Sequence, residues 1–235
     1  MKLEICANSF QSAKNAEAAG AQRIELCCEL TVGGVTPSYG LIKQVKEQLS
    51  IETYVLIRPR SGNFTYSGAE FEIMKQNIQM CKNLGCSGIV SGVLNEDHTL
   101  DIKRTKILIE ESKPLSFTFH RAFDCVPKPL EALNQLIDLG ADRILTSGQE
   151  TSAEKGIKLL KTLNTKAKQS IIILPGSGIN HKNAMYFKEA EFQEIHASAS
   201  KIINTESSEY FGNTPQTVSC AEEIKDILKI IENEI

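Results

Sequence analysis

Short apolar or β-branched runs alternate with longer amphipathic stretches along the whole chain, the pattern of parallel strands joined by crossover helices. Eight runs predict strands: LEICA (3–7), RIELC (23–27), TYVLIR (53–58), GIVSG (88–92), SFTFH (116–120), RILTSG (143–148), SIIILPG (170–176) and EIHAS (194–198). Between them, FEIMKQNIQMCKNLG places Phe71, Met74, Ile78 and Cys81 on one helical stripe, opened by Ser67 and Glu70 as a capping box.

A weak internal repeat orders these units. GAQRIEL at 20, GCSGIVS at 85 and GADRILT at 140 each combine a helix-ending glycine with a following strand, at offsets of 65 and 55 residues. Each offset holds about two strand-helix units of roughly 30 residues, which makes these strands two, four and six. Eight such units predict an α/β fold of the (β/α)8 type, a TIM barrel occupying residues 1–235 as a single domain. The alternative, an open doubly wound sheet, stops nearer about five or six strands.

In a barrel, side chains alternate between the interior and the helix layer, and the functional end is the carboxyl end of the strands. Ile24 and Leu26 suit the helix layer, so Arg23, Glu25 and Cys27 face inward; by the same parity so do Glu4, Cys6, Leu56, Arg58, Thr118, His120, Glu194, His196 and Ser198. Charges in a barrel centre must be compensated, because an unpaired buried ion costs several kcal/mol. Glu4, Glu25, Arg58, His120 and His196 therefore neutralise one another or meet a ligand.

Composition narrows the ligand classes. With 41% hydrophobic and 23% charged residues the chain is an ordinary globular one, and its net charge of -3 supplies no basic field for nucleic acid. No run approaches the roughly 18 to 20 apolar residues that span a bilayer, so no membrane partner and a cytoplasmic location are expected. The seven cysteines lack paired C-x-x-C spacing and are expected to be free thiols.

Cys6 and Cys27 share inward parity at the ends of the first two strands, where neighbouring strands lie about 4.8 Å apart. Two facing thiolates suit Cu(I), whereas tetrahedral zinc wants more ligands than the sequence shows nearby; the alternative is a pair of small core thiols. Cys28 has the opposite parity. Gly176 and Gly178 in PGSGI, with Ser198 and Ser200 in HASAS, end strands seven and eight, where barrels of this kind commonly bind phosphate; a tight turn is the competing explanation. Arg58 and Arg60 are candidate anion forks with Tyr66 as a polar lid contact. FHRAFD brings His120, Arg121 and Asp124 within five residues, and with Glu25 opposite they form a candidate set for proton transfer next to a carbonyl. Arg121 has outward parity, so a plain Arg121–Asp124 pair is the alternative. His98 and His181 are expected on the surface.

These motifs, in order LEICANS, GAQRIELC, GGVTPSYG, IRPRSGNFTYS, FHRAFD, ADRILTSG, PGSGI and IHASA, resemble the copper homeostasis protein CutC family over nearly the whole chain. The resemblance implies a cytosolic barrel linked to copper handling, with Cys6 and Cys27 at the family's copper-binding cysteines. The chain departs from the family pattern at Cys28 and Glu29, and at Ser200, where an arginine is common and Lys201 follows. A homo-oligomer, namely a dimer, is the expected assembly. Two function classes emerge: a Cu(I)-binding homeostasis protein, and a lyase- or isomerase-type enzyme for a small phosphorylated or otherwise anionic metabolite.

Overall fold

The structure, a computed structural model, describes residues 1–204, 207–208, 210, 212–213 and 215–232. All eight predicted strands form: β1 (Lys2–Ala7), β2 (Arg23–Leu26), β3 (Glu52–Leu56), β4 (Gly88–Ser91), β5 (Ser116–Phe119), β6 (Arg143–Thr146), β7 (Ile172–Pro175) and β8 (Glu194–Ala197). They make one parallel sheet in the order β7-β6-β5-β4-β3-β2-β1-β8. A parallel bridge between Gly176 and His196 brings β7 against β8, so the sheet curls into a nearly closed barrel. Gly176 is needed at this seam, since a Cβ there would lie 2.5 Å from Leu145 and 3.3 Å from His196.

Helices cover the outside: α1 (Phe10–Ala19), α2 (Tyr39–Gln48), α3 (Gly68–Asn83), α4 (Ile102–Ser112), α5 (Pro129–Leu139), α6 (Ile157–Ala167), α7 (Ala184–Glu189) and α8 (Ala221–Glu232). The α3 capping box is present, with Ser67 accepting from the Glu70 amide and Glu70 accepting from the Ser67 amide; its stripe of Phe71, Met74, Ile78 and Cys81 is buried. Gly20, Gly85 and Gly140 follow α1, α3 and α5 in the left-handed region, with φ of 94°, 70° and 80°. This is why the repeat carries glycine there: only a residue without Cβ turns each helix end into the next strand at no steric cost.

Outward residues Leu3, Ile5, Ile24, Leu26 and Val55 join the helix faces in the main core, while Cys6, Cys27, Tyr54, Leu56 and Val90 form a separate cluster inside the barrel. The predicted strand ends are too long by one to two residues at several places. Cys27, Arg58, His120 and Ser198 lie just beyond their strands, on the functional rim.

One departure from a plain barrel follows β8. The chain continues into β9 (Ser200–Asn204), which pairs antiparallel with β12 (Gln216–Ser219), with the short pair β10 (Ser207–Ser208) and β11 (Gly212–Asn213) between them. Asn8, Ser12 and Asn15 around α1 hold β12 by hydrogen bonds to Thr217 and Ser219. The segment leads into α8.

Candidate functional site

The interior is built in two polar levels. In the lower one, Arg23 donates through Nε to Glu4 Oε2 at 2.5 Å and through Nη2 to Glu194, and Arg143 grips both oxygens of Glu194 at 2.8 and 3.2 Å. Both guanidinium groups lie over the Tyr54 ring, 4.6 and 5.4 Å from its centroid. Gly88, opposite Tyr54 in the ladder, makes room for that ring, because a Cβ there would meet it at 2.5 Å. The expected compensation of interior charge is met in part: Glu4 is paired here, through Arg23, in a network that also takes in Glu194 and Arg143, whereas Arg58 has no ion pair among the described residues.

Glu4 links this level to the next. Its other oxygen, Oε1, accepts from Nδ1 of His196 at 2.7 Å. That bond turns the imidazole so that Nε2 lies 3.5 Å from Glu25 Oε2. Cys6 sits between them: one ligand atom each from Cys6, Glu25 and His196 lie within 4.8 Å of one another, and the Cys6 sulfur is 3.6 Å from that of Cys27. All four side chains are buried. The β1–β2 register, which pairs Cys6 with Glu25, and the β1–β8 register, which pairs Glu4 with His196, produce this assembly.

The electrostatics follow from burial against pairing. Burial raises the Glu4 carboxyl, but Arg23 and His196 outweigh it and hold it down at about 2. Burial pulls His196 down, yet hydrogen bonding to Cys6 and Glu4 and the Glu25 charge together hold it well above its ordinary value. Glu25 is raised, chiefly by burial and by Glu4, with His196 opposing. Hydrogen bonding to Cys27, then burial, holds the Cys6 thiol well above its ordinary range. Both shifts favour a protonated thiol beside a cationic imidazole, so a metal ion bound here would have to displace a proton from each.

The donor set fits a thiophilic metal. Two sulfurs supply the soft ligands, and His196 Nε2 is backed by the Glu4 carboxylate on its other nitrogen, the arrangement that orients metal-binding histidines. Parity marks only the two thiols as metal ligands; the structure adds Glu25 and His196, and with them the shortage of donors no longer argues against zinc. Cys28 is not a member of this cluster; its backbone forms an antiparallel bridge with Val35.

Above the sulfurs opens a cavity of about 210 Å³ that Glu25, Arg58, His120, Gly178, His196 and Ser198 help to line. Other candidates fall outside it. Arg60 spends its donors on Glu70, Ser61, Asn63 and Thr65 and lies over Tyr66, because the turn it sits in folds its guanidinium back on its own loop. Asp124 accepts from Arg121, Thr146, Ser147 and Gln149, so it fastens the loop after β6 instead of facing the cavity. Arg121 does pair with Asp124 and also lines the cavity edge. Gly176 serves the barrel seam, and the exposed Ser200 reaches only Ser198, 3.3 Å away. Tyr66 is buried, not a lid, and burial pushes its hydroxyl up to about 12. His98 is in an exposed turn, whereas His181 is half-exposed and paired with Glu223 at 2.7 Å. Phe64, which no sequence pattern marked, forms one cavity wall.

The CutC family profile matches residues 1–201. A CutC family protein of Proteus mirabilis is 50% identical over 200 residues, covering 85% of this chain and 80% of the relative. One of Parabacteroides distasonis is 47% identical, covering 91% and 88%. The crystal structure of CutC from Streptococcus agalactiae superposes with a TM-score of 0.79 at 33% identity, covering 84% of this chain and 98% of that one. Barrels such as a 3-hexulose-6-phosphate synthase of Salmonella typhimurium, at 16% identity and a TM-score of 0.63, share the fold alone. On the family match and these relatives, the chain belongs to the CutC family.

Proposed function

We propose that the protein acts in copper homeostasis by holding Cu(I) at Cys6 and Cys27 in the barrel mouth, with His196 as a further ligand and Glu25 beside it. The observation that carries this reading is the 3.6 Å approach of two buried sulfurs within a cluster that also presents an imidazole and a carboxylate. With metal–sulfur bonds of about 2.3 Å, a linear S–metal–S unit would hold its sulfurs about 4.6 Å apart. The closer pair favours a bent arrangement that leaves room for the His196 nitrogen.

The Streptococcus agalactiae relative carries the name of a copper homeostasis protein, which supports the same reading. Seven free thiols suit a reducing cytoplasm, and no helix among the described residues is long and apolar enough to cross a membrane. A lyase or isomerase acting on a phosphorylated metabolite draws less support, because Asp124 and Arg60 are committed to loop contacts. The chain after β8 also enters a strand, not the extra helix whose N-terminus usually cradles phosphate. Competitive Cu(I) titration of the reduced protein and its cysteine variants tests the proposal.

A further inference from the structure

Arg58 is 5% exposed, yet no carboxylate of the described residues lies within ion-pair distance of it. Its Nη1 donates to the carbonyls of Val32 and Gly34 at 2.8 and 2.7 Å and its Nη2 to that of Gly62 at 2.9 Å. Those bonds orient the guanidinium without neutralising it; Nε makes no well-formed hydrogen bond, its polar neighbour being the buried, neutral Tyr66 hydroxyl. A buried, uncompensated cation costs several kcal/mol, so this position calls for an anion.

His120 supplies a second unmet donor. It is 4% exposed, and its Nδ1 accepts from the Ala122 amide at 3.1 Å, which places the proton on Nε2. Nε2 has no partner either. Gly92 lets the ring lie where it does, since a Cβ there would come within 2.7 Å of it. Burial, and after it the Arg58 charge, depress the ring to about 3, so His120 stays a neutral donor at every physiological pH.

Arg58 and His120 converge on one wall of the cavity. Phe64 lies 5.1 Å from the Arg58 guanidinium and 4.9 Å from the His120 ring, and all three line the same 210 Å³ space. The volume is below the roughly 300 to 1,000 Å³ of drug-sized pockets. The rest of the wall includes Leu30, Leu56 and Leu145, which suit a short apolar body. A planar guanidinium fork, without a run of backbone amides at a helix start, matches a carboxylate better than a phosphate, and Arg121 and His196 line the same space as further positive groups.

We propose that this cavity binds a short organic carboxylate bearing a second acceptor oxygen, of the 2-oxo or 2-hydroxy acid class, with its carboxylate on Arg58 and its second oxygen on Nε2 of His120. Cys6, Glu25 and His196 line the same cavity, but the two groups that hold the acid, Arg58 and His120, are not among the copper ligands, so the proposal stands whether or not Cu(I) is the metal.

The test is calorimetric and thermal-shift titration of the reduced, metal-free protein with pyruvate and lactate, against propionate, lactamide, glycerol phosphate and inorganic phosphate. Pyruvate or lactate should bind with millimolar or tighter affinity and raise the melting temperature, propionate more weakly, and lactamide not at all. Arg58→Lys should weaken binding at least about tenfold. Because Arg58 also ties its loop, His120→Asn is the second variant: asparagine retains a cap for the Ala122 amide but removes Nε2, and should erase the preference for lactate over propionate. A Cys6→Ser/Cys27→Ser double variant should keep lactate binding, which separates this result from loss of copper binding. Absence of binding by both acids, preference for the phosphates, or unchanged binding in both the Arg58 and His120 variants would overturn the proposal.

Discussion

Nδ1 of His196 stands 2.7 Å from Oε1 of Glu4, whose second oxygen receives Nε of Arg23 at 2.5 Å. One carboxylate therefore fixes both the ionic floor of the barrel and the orientation of the imidazole above it. Glu25, on the other side of the same ring, has no such cation of its own, and its neighbours leave its carboxyl raised while that of Glu4 is depressed.

Opposite effects of two superficially similar substitutions follow. Glu4→Gln leaves Arg23 and His196 with an unbalanced buried charge and should destabilise the fold by about 3 to 5 kcal/mol. Glu25→Gln removes a carboxylate whose ionisation the folded state disfavours, and should leave the metal-free protein as stable or more stable at neutral pH. Urea denaturation of both variants checks this; equal losses would contradict the assigned asymmetry.

The pH dependence has two arms. The folded-state value of Glu4 lies below its ordinary 4.5, so its contribution is complete above that value and is lost as pH falls through about 2. His196 is raised above its ordinary 6.5, so its contribution is complete below 6.5 and disappears as pH rises through the elevated value. Denaturation curves of wild type and His196→Gln should therefore converge on the alkaline side. A gap that widens with rising pH would refute the assignment.

Gly88→Ala should destabilise by about 1 to 3 kcal/mol although alanine is small, since the new methyl would overlap the Tyr54 ring on which Arg23 and Arg143 rest. Thermal denaturation measures the loss, and pairing the substitution with Tyr54→Phe should give no relief, because the ring carbons and not the hydroxyl make the contact. Wild-type stability in the single variant would show that Tyr54 is free to move aside.

Much of this was legible in the chain. Alternation along RIELC and EIHAS correctly placed Arg23, Glu25, Cys27, Glu194 and His196 inside, because strand parity is a two-state question that outward Ile and Leu answer. Loop side chains were harder. Parity carried Arg58 inward, but nothing in RPRSGNFTYS reveals that Arg60 folds back on Glu70, since it lies beyond the last strand residue and tertiary hydrogen bonds choose its direction. Asp124 was similarly ambiguous between a reactive carboxylate and a loop clasp; only its acceptance of the Ser147 and Gln149 amides decides. The joining of Cys6 to Glu25 and His196 required the register across β8, β1 and β2, which sequence spacing does not encode.

The thiols should also be chemically free. Counting under denaturing, non-reducing conditions should find nearly all seven cysteines reactive, consistent with their unpaired state in the structure. Recovery of two or more stable disulfides would contradict the cytoplasmic copper reading.

The most direct measurement is a competitive Cu(I) titration of the reduced protein, repeated on Cys6→Ser and Cys27→Ser, at several pH values and with zinc as competitor. The account predicts one Cu(I) per chain, held by the two soft sulfurs that zinc does not require, and affinity that climbs with pH because the elevated Cys6 thiol must surrender its proton. Either substitution should weaken binding by at least tenfold, about 1.4 kcal/mol. Unchanged Cu(I) affinity in both serine variants would contradict it.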